Sequence, residues 1–271
     1  MFLCDMHIHS KYSYDGCDTP DDICRAAIAR GMRTIAFTDH HDLLPEGMEV
    51  STYEQHDMEA RHEIERVRER YAPKLEVLYG IELGEPNTNP AAAERFLQKH
   101  PFDFVLGSVH FTFQKGEAID IYEVDFGTIP YIDVIQDYFN NMLAMIRLGG
   151  FHSLAHLDYV YRPMKGVVPA PVLEPWRETV DEVLRLIVRK GIALEISTRG
   201  FRDWFGRLSP EEWVLRRFRE LGGENVTIGS DTHGIVAVGL GAKDAAEFAK
   251  TCGFDYITTY RAGKPVKNKI D

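Results

Sequence analysis

The sequence predicts an α/β protein in which parallel strands close into a barrel, and three observations support this prediction. Short β-rich segments alternate with longer helical segments along almost the whole chain, which is the pattern of a parallel sheet with helical crossovers. Seven or eight such units favour a closed or nearly closed barrel over an open, doubly wound sheet. No GxGxxG or GxxxxGKS/T segment follows the first strand, so neither nucleotide-binding signature supports the open alternative.

The order of the elements follows from apolar runs and helix-ending signals. Strands are expected at residues 2–9, 34–39, 76–82, 104–109, 153–156, 192–196, 226–230 and 256–259. Helices are expected at residues 20–30, 52–71, 91–100, 131–148, 174–189, 210–221 and 243–252. Thr19 and Ser209 each precede a proline and an acidic residue, which is typical of a helix N-cap. Four helices are expected to end at a glycine: Gly31, Gly149, Gly191 and Gly222. No repeat or linker interrupts the series, so residues 1–271 are interpreted as one domain.

Composition limits the function classes. The chain has 31 basic and 42 acidic side chains, a formal net charge of −11 and an apolar fraction of 44%. This negative net charge would repel a phosphate polymer, so a general nucleic-acid binder is disfavoured. A small anionic substrate is still compatible with the composition, because bound cations would reverse the local field. The N-terminus lacks a signal-peptide pattern, no stretch has the apolar length of a membrane span, and the four cysteines form no CxxC pair. We therefore expect a cytoplasmic protein that binds neither membrane nor nucleic acid.

Metal-capable side chains recur at the carboxyl ends of the expected strands. They are His7, His9, His40, Glu82, His110, His156, Asp231 and His233, with Asp15 as a further candidate. In a parallel barrel these ends meet at one mouth, where barrel enzymes keep their active sites. His7 and His9 are two residues apart, so both point to the same face of the first strand. Imidazole and carboxylate without thiolate suit zinc, iron or manganese, and their number predicts two to three divalent ions.

The remaining histidines lack this placement. His41, His56, His62, His100 and His152 are interpreted as surface or packing residues. His41 is the least secure member of this group because it adjoins His40. Asp15 also has a second interpretation, as an ordinary turn residue in the segment Tyr-Asp-Gly.

The metal-capable segments resemble the PHP (polymerase and histidinol phosphatase) superfamily. The matching segments are MHIHS at 6–10, TDH at 38–40, GIE at 80–82, GSVH at 107–110, AH at 155–156 and GSDTH at 229–233. They follow the family's order over nearly the whole chain. Within the superfamily the segments GIELGEP at 80–86 and EIST at 195–198 are similar to those of histidinol-phosphatases.

This resemblance implies a distorted (β/α)₇ TIM-like barrel with a trinuclear metal centre at the carboxyl ends of the strands. The first ion would be held by His7, His9, Glu82 and Asp231, and the second by Glu82, His110 and His156. The third would be held by Asp15, His40 and His233. Many relatives have histidine where Asp15 stands and asparagine where Ser197 stands. The harder carboxylate of Asp15 would change the metal preference of the third position or weaken it.

The implied activity is hydrolysis of a phosphate monoester, most specifically L-histidinol phosphate in histidine biosynthesis. Arg162 and Arg199 follow strand ends, and a guanidinium group matches phosphate bidentately, so they are the expected phosphate ligands and catalytic residues. Asp231 or His233 is expected to relay a proton to the leaving alkoxide. Asp42 and Glu85 are the candidates for binding the amine or imidazole of the substrate.

Two alternatives remain open. One is a PHP-type phosphoesterase that acts on nucleotides or nucleic-acid ends, which a basic groove with stacking aromatics would favour. The other is a metal-binding domain without turnover, which missing ligands would favour. Every expected ligand position carries a competent side chain.

Overall fold

A computed structural model describes residues 1–45, 53–169 and 172–271 of the chain. Its strands are β1 (Cys4–Ile8), β2 (Thr34–Phe37), β3 (His40–Asp42), β4 (Glu76–Gly84), β5 (Phe104–Ser108), β6 (Phe111–Gln114), β7 (Glu117–Asp120), β8 (Ser153–Leu154), β9 (Ala193–Ser197), β10 (Val226–Gly229), β11 (Tyr256–Arg261) and β12 (Lys264–Lys269). Its helices are α1 (Pro20–Ala29), α2 (Tyr53–Tyr71), α3 (Pro90–Lys99), α4 (Tyr131–Leu148), α5 (Arg177–Lys190), α6 (Glu212–Glu220) and α7 (Ala242–Thr251). Thr52, the predicted start of the second helix, lies outside the described residues.

The central sheet is a parallel barrel. Its strand order is β1-β2-β4-β5-β8-β9-β10, with the short strand β3 paired to β4 beyond the end of β2. The barrel closes between β10 and β1, where the Asp231 amide donates to the His7 carbonyl at 2.9 Å and the His9 amide donates to the Thr232 carbonyl at 2.8 Å. The predicted seven-stranded α/β barrel is therefore confirmed.

The helices cover the barrel with apolar stripes that have the helical period. In α5 the buried residues include Val180, Val183, Leu184 and Ile187, which occupy one face of a helix. The barrel strands are buried almost throughout, as expected of parallel strands that face side chains inside and helices outside. None of the helices in the described ranges combines the length and the apolarity that a membrane span requires.

Asp5 ties the last strand to the first. Its buried carboxylate accepts hydrogen bonds from the backbone amides of Ser230 at 2.9 Å, Gly239 at 2.7 Å and His7 at 3.3 Å. Burial raises the pKa of Asp5, and these hydrogen bonds oppose the rise. An acid inside the barrel rim thus holds the segment that carries Asp231 against the strand that carries His7.

The last predicted strand lies outside the barrel. Residues 256–259 belong to β11, which forms an antiparallel hairpin with β12 in the register Tyr256↔Lys269 to Arg261↔Lys264. The lysines and asparagine of β12 gave no apolar signal, because this strand lies at a sheet edge, where charged residues are favoured. A second unpredicted hairpin, β6–β7, turns at Lys115 and Gly116, both at positive φ, and extends the chain beside the barrel mouth.

The predicted helix ends are mostly confirmed. The Thr19 hydroxyl accepts from the Asp22 amide at 3.2 Å, and the four terminating glycines all have positive φ. The prediction that Ser209 caps a helix is wrong, because α6 begins three residues later, after Glu211. The backbone of Ser209 pairs instead with Ser197 at the end of β9, at 2.8 and 3.1 Å.

We expect Thr19→Ala to lower the free energy of unfolding by about 1 kcal/mol, since the first turn of α1 loses its side-chain acceptor. Urea unfolding followed by circular dichroism measures the change. Thr19→Ser is the matched control because it keeps the hydroxyl, and we expect it to unfold close to the wild type. Equal stability of the alanine variant and the wild type would contradict the assigned cap.

Candidate metal centre and its cleft

The predicted metal ligands meet at the carboxyl ends of the barrel strands. His7 lies in β1, His40 in β3 and Glu82 in β4, whereas the others follow the ends of strands. Four groups of histidines and carboxylates have ligand atoms within 4.8 Å of one another. They are His7, His9 and Glu82; Glu82, His110 and His156; His9, Asp15, His40 and His233; and His40, Asp42 and His110.

Glu82 lies at the centre of these groups and is completely buried. Its Oε2 atom faces nitrogens of three histidines: His7 at 3.1 Å, His9 at 3.3 Å and His40 at 3.1 Å. Its Oε1 atom faces the Nε2 atoms of His156 at 2.9 Å and His110 at 3.3 Å. Each oxygen of one carboxylate therefore faces a different set of imidazoles, which is the geometry needed to bridge two cations.

The outward nitrogens of three of these histidines are held by partners behind them. The Nδ1 atom of His7 lies 2.7 Å from Glu195 Oε1. That of His9 lies 3.1 Å from Ser13 Oγ, and that of His110 lies 3.0 Å from Asp42 Oδ1. Such partners fix the ring orientation and leave Nε2 to point inward, as around metal-binding histidines. The Nε2 atoms of His7 and His9 then lie only 3.0 Å apart, an approach of two like atoms that a shared cation would explain.

The members of the cluster shift one another's pKa in both directions, and burial lowers the pKa of His7 and His110 less than the neighbouring carboxylates raise it. Burial alone would raise the pKa of Glu82, but His7, His110 and His40 hold it well below its usual value. Burial lowers the pKa of His9 well below its usual value, with His40 and His233 adding to the effect, so this imidazole is neutral and able to ligate. These donors fit a divalent transition metal.

Asp15 points toward the outer histidines rather than only capping a turn. Its Oδ2 atom lies 2.8 Å from His233 Nε2 and 3.6 Å from His40 Nε2. Burial would raise the pKa of Asp15, but hydrogen bonds to His233 and His40 lower it strongly. Asp15 and His233 are also the most exposed of the predicted ligands, at 38% and 25% of their side-chain surface, so this group faces the cleft.

A cleft of about 240 Å³ opens above the centre. Its lining includes predicted ligands, both predicted arginines, and four residues that the sequence did not single out: Tyr14, Asp120, Tyr122 and Tyr159. The side chain of Arg162 is only 6% exposed, and its Nη1 donates to Asp231 Oδ2 at 2.6 Å. The Nη1 atom of Arg199 donates to the Asp231 carbonyl at 3.2 Å. Asp203 lies between the arginines, 3.4 Å from Arg162 Nε and 3.5 Å from Arg199 Nε.

Asp231 keeps its negative charge in this setting. Burial would raise its pKa, but Arg162, His7, His9 and His233 hold the pKa well below its usual value. Its Oδ1 atom lies 3.6 Å from His9 Nε2 while Oδ2 faces Arg162. One carboxylate thus connects the histidine cluster to the arginines.

Asp42 and Glu85, predicted to bind the substrate, do not line the cleft. Asp42 holds His110 Nδ1, and Glu85 is fully buried, where it accepts from the backbone amides of His110 and of Phe111, the latter at 3.1 Å. Burial, together with the nearby Asp42 carboxylate, raises the pKa of Glu85 to about 8 against the opposing effect of His110. The difference arises because Asp42 ends β3 and Glu85 follows the end of the neighbouring strand β4, where both carboxylates hold the segment after β5 that carries His110.

The other histidines lie outside the cleft, in agreement with the prediction. His41 stacks on Phe96 with ring centroids 3.8 Å apart, and His100 packs in the same aromatic cluster. His152 Nδ1 accepts from the Val105 amide at 2.9 Å. His56 and His62 are exposed on α2.

Three residues that orient the predicted ligands and arginines were not among the predicted site residues: Glu195, Ser13 and Asp203. Glu195 lies near the carboxyl end of β9, and its second oxygen accepts from the His156 amide at 2.8 Å. Its position at a strand end was a usable signal, the same one that identified Glu82. Ser13 and Asp203 lie in loops, where residue type alone gives no such signal.

An α/β barrel with histidines and carboxylates at its mouth and arginines beside them has the architecture of a metal-dependent hydrolase. The PHP domain family matches residues 5–199. A histidinol-phosphatase of Lactococcus lactis subsp. lactis is 31% identical, with 98% of this chain and 97% of the relative covered. A probable histidinol-phosphatase of Thermotoga maritima is 28% identical, with 94% of each chain covered.

Structural similarity agrees with these matches. The crystal structure of histidinol phosphate phosphatase from L. lactis, complexed with zinc, L-histidinol and phosphate, has a TM-score of 0.79 to this fold. The two chains are 28% identical, and 98% of this chain and 99% of that chain are covered. The chain therefore belongs to the PHP family, within its histidinol-phosphatase branch, and is a metal-dependent phosphoric monoester hydrolase.

The central position of Glu82 generates a prediction. We expect Glu82→Gln to lower the metal content at two positions and to reduce kcat by about 100-fold or more, because metal ions stabilise the transition-state charge by several kcal/mol. Elemental analysis and steady-state kinetics measure the two effects. His62→Gln on the exposed face of α2 is the control and should change neither. Full metal content and normal turnover of the Glu82 variant would exclude a bridging role.

Proposed function

We propose that this enzyme hydrolyses L-histidinol phosphate to L-histidinol and phosphate, a step of histidine biosynthesis. The observation that carries the proposal is that a cluster competent for several cations and two arginines share one small cleft. The substrate named for the L. lactis relatives supports the choice of monoester. The cleft volume of about 240 Å³ suits a small metabolite.

We assign two to three divalent ions, of zinc, iron or manganese, to the clustered side chains. The first position comprises His7, His9, Glu82 and Asp231; the second comprises Glu82, His110 and His156; and the third comprises Asp15, His40 and His233. The short distances within each group and the inward-facing Nε2 atoms support this division. Such ions, when bound, neutralise phosphate charge and lower the pKa of a coordinated water.

The chain's own residues then bind and orient the ester. Arg199 is partly exposed in the cleft and has guanidinium donors available for phosphate oxygens. Arg162 is held in place by Asp231 and Asp203, and it lines the same wall. The planar fork of a guanidinium donates to two oxygens of a phosphate at once, and a side chain that is already held in place loses little entropy on binding.

The leaving alkoxide needs a proton. Asp231 and His233 are the candidates that face the cleft. Because Arg162 and three histidines favour the ionised form of Asp231, we assign the proton relay to His233 in the form of the enzyme with only the first two positions filled, since a metal-bound imidazole nitrogen carries no proton. The His233 ring is partly exposed beside Asp15.

The phosphate clamp is tested by removing one arginine. We expect Arg199→Ala to lower kcat/KM by about 10- to 100-fold, because a hydrogen bond to a charged group contributes about 1.5–3 kcal/mol. Metal content should stay at the wild-type level. Arg216→Ala is the control, since Arg216 is exposed and its ion pair is with Glu212 on the same helix, α6. Unchanged kinetics of the Arg199 variant would remove it from the phosphate site.

The substrate is tested by comparing monoesters on metal-replete protein. We expect kcat/KM for L-histidinol phosphate to exceed that for p-nitrophenyl phosphate, nucleoside monophosphates and phosphorylated DNA ends. The metals and arginines recognise only the phosphate that all of these share, so discrimination must come from groups that pair with the rest of the molecule. If kcat/KM is higher for a nucleotide or a DNA end, histidinol phosphate is not the preferred substrate, and the family assignment is unaffected.

A further inference from the structure

We propose that Asp120 is the specificity-determining residue of the cleft and that it binds a protonated amino group on the carbon chain of the phosphate ester. This inference rests on the proposed function and deepens it. It defines the substrate class as phosphate monoesters that carry an ammonium group close to the phosphate. Asp42 and Glu85, buried behind His110, are not in a position to do this.

Asp120 differs from the other two carboxylates that line the cleft. Asp15 is engaged by His233 and His40, and Asp231 is engaged by Arg162 and by histidines. In the described ranges, Asp120 belongs neither to an ion pair nor to a group that could hold a metal. Its negative charge therefore faces the cleft without an ion pair to any cationic side chain that the structure describes, and a cationic ligand group would complete it.

The carboxylate is held in place before any ligand binds. Asp120 ends β7 and caps the single 3₁₀ turn Ile121–Glu123, because its Oδ1 atom accepts from the Tyr122 amide at 2.8 Å. The cap fixes the side-chain rotamer and leaves Oδ2 for a ligand. An acceptor fixed in this way loses little conformational entropy on binding.

Three tyrosines line the cleft together with this carboxylate. They are Tyr14, Tyr122 and Tyr159, and the rings of Tyr122 and Tyr159 meet edge-on at 5.6 Å. Tyrosine faces attract cations through their ring quadrupole, and the Tyr159 ring already holds the Arg162 guanidinium, 4.8 Å from its centroid. The exposed ring of Tyr122 is available to an ammonium group.

The cleft presents charges of both signs. Arg162 and Arg199 line it together with Asp120, and both arginines are anchored at the Asp231 end, Arg162 to its carboxylate and Arg199 to its carbonyl. Asp120 lies at the start of the 3₁₀ turn Ile121–Glu123 and supplies negative charge. A phosphate at the arginines and an ammonium group at Asp120 match this arrangement in a single small ester.

The test compares two esters in one variant. Asp120→Asn removes the charge and keeps a side-chain oxygen for the Tyr122 amide. For each protein, kcat/KM is measured for L-histidinol phosphate and for its analogue in which hydrogen replaces the amino group. We expect the ratio of the two values to fall by about tenfold or more in Asp120→Asn, because a charged hydrogen-bonding partner of the ammonium group is lost.

Control variants separate the role of Asp120 from a general effect of charge and from the proposed function. Glu123→Gln removes an equal charge three residues away, from an exposed side chain outside the cleft lining, and should leave the ratio unchanged. Asp120→Ser, which also keeps a capping oxygen, is the second variant if the asparagine form unfolds early in urea. Absence of turnover of either ester by the wild type would overturn the proposed function. A wild-type preference for the amino ester that persists in both folded Asp120 variants would overturn the role of Asp120 alone.

Discussion

The buried carboxylate of Glu82 is the constraint on which the site depends. An isolated charge in a barrel interior would be very unfavourable, and here five histidines surround its two oxygens at 2.9–3.3 Å. That arrangement is stable only if positive charge accompanies it, from protonated imidazoles or from bound cations. The barrel makes the cluster possible because it brings distant strand ends to one mouth.

Hydrogen bonds to the outward nitrogens of the histidines fix the orientation of the imidazole rings in this cluster. Glu195, Ser13 and Asp42 hold the outward nitrogens of His7, His9 and His110, so the inward nitrogens converge. Asp42 thereby acts on the metal side of the cleft, although its residue type also suited an amine partner. Positioning residues of this kind resemble binding residues in a sequence, because both are polar and lie close to strand ends.

The local charge at the mouth opposes the average charge of the protein. The chain has a net charge of −11, yet the cleft presents Arg162 and Arg199 and a cluster suited to cations. The hairpin β6–β7 adds a negative group, Asp120, to a cleft that three tyrosines also line. A small ester with charges of both signs fits this polarity better than a polyanion does.

The sequence alone determined the barrel, the order of its strands and the gathering of the metal-capable residues, because alternation of elements and strand-end placement are local patterns. His7, Glu82, His110 and Asp231 could be named without coordinates for that reason. Tertiary structure decided which polar residues face the cleft. Asp42 and Glu85 hold the segment after β5, while Asp120 reaches the mouth through a short hairpin that the sequence did not predict. A side chain's direction depends on packing between segments distant in sequence, which no local pattern encodes.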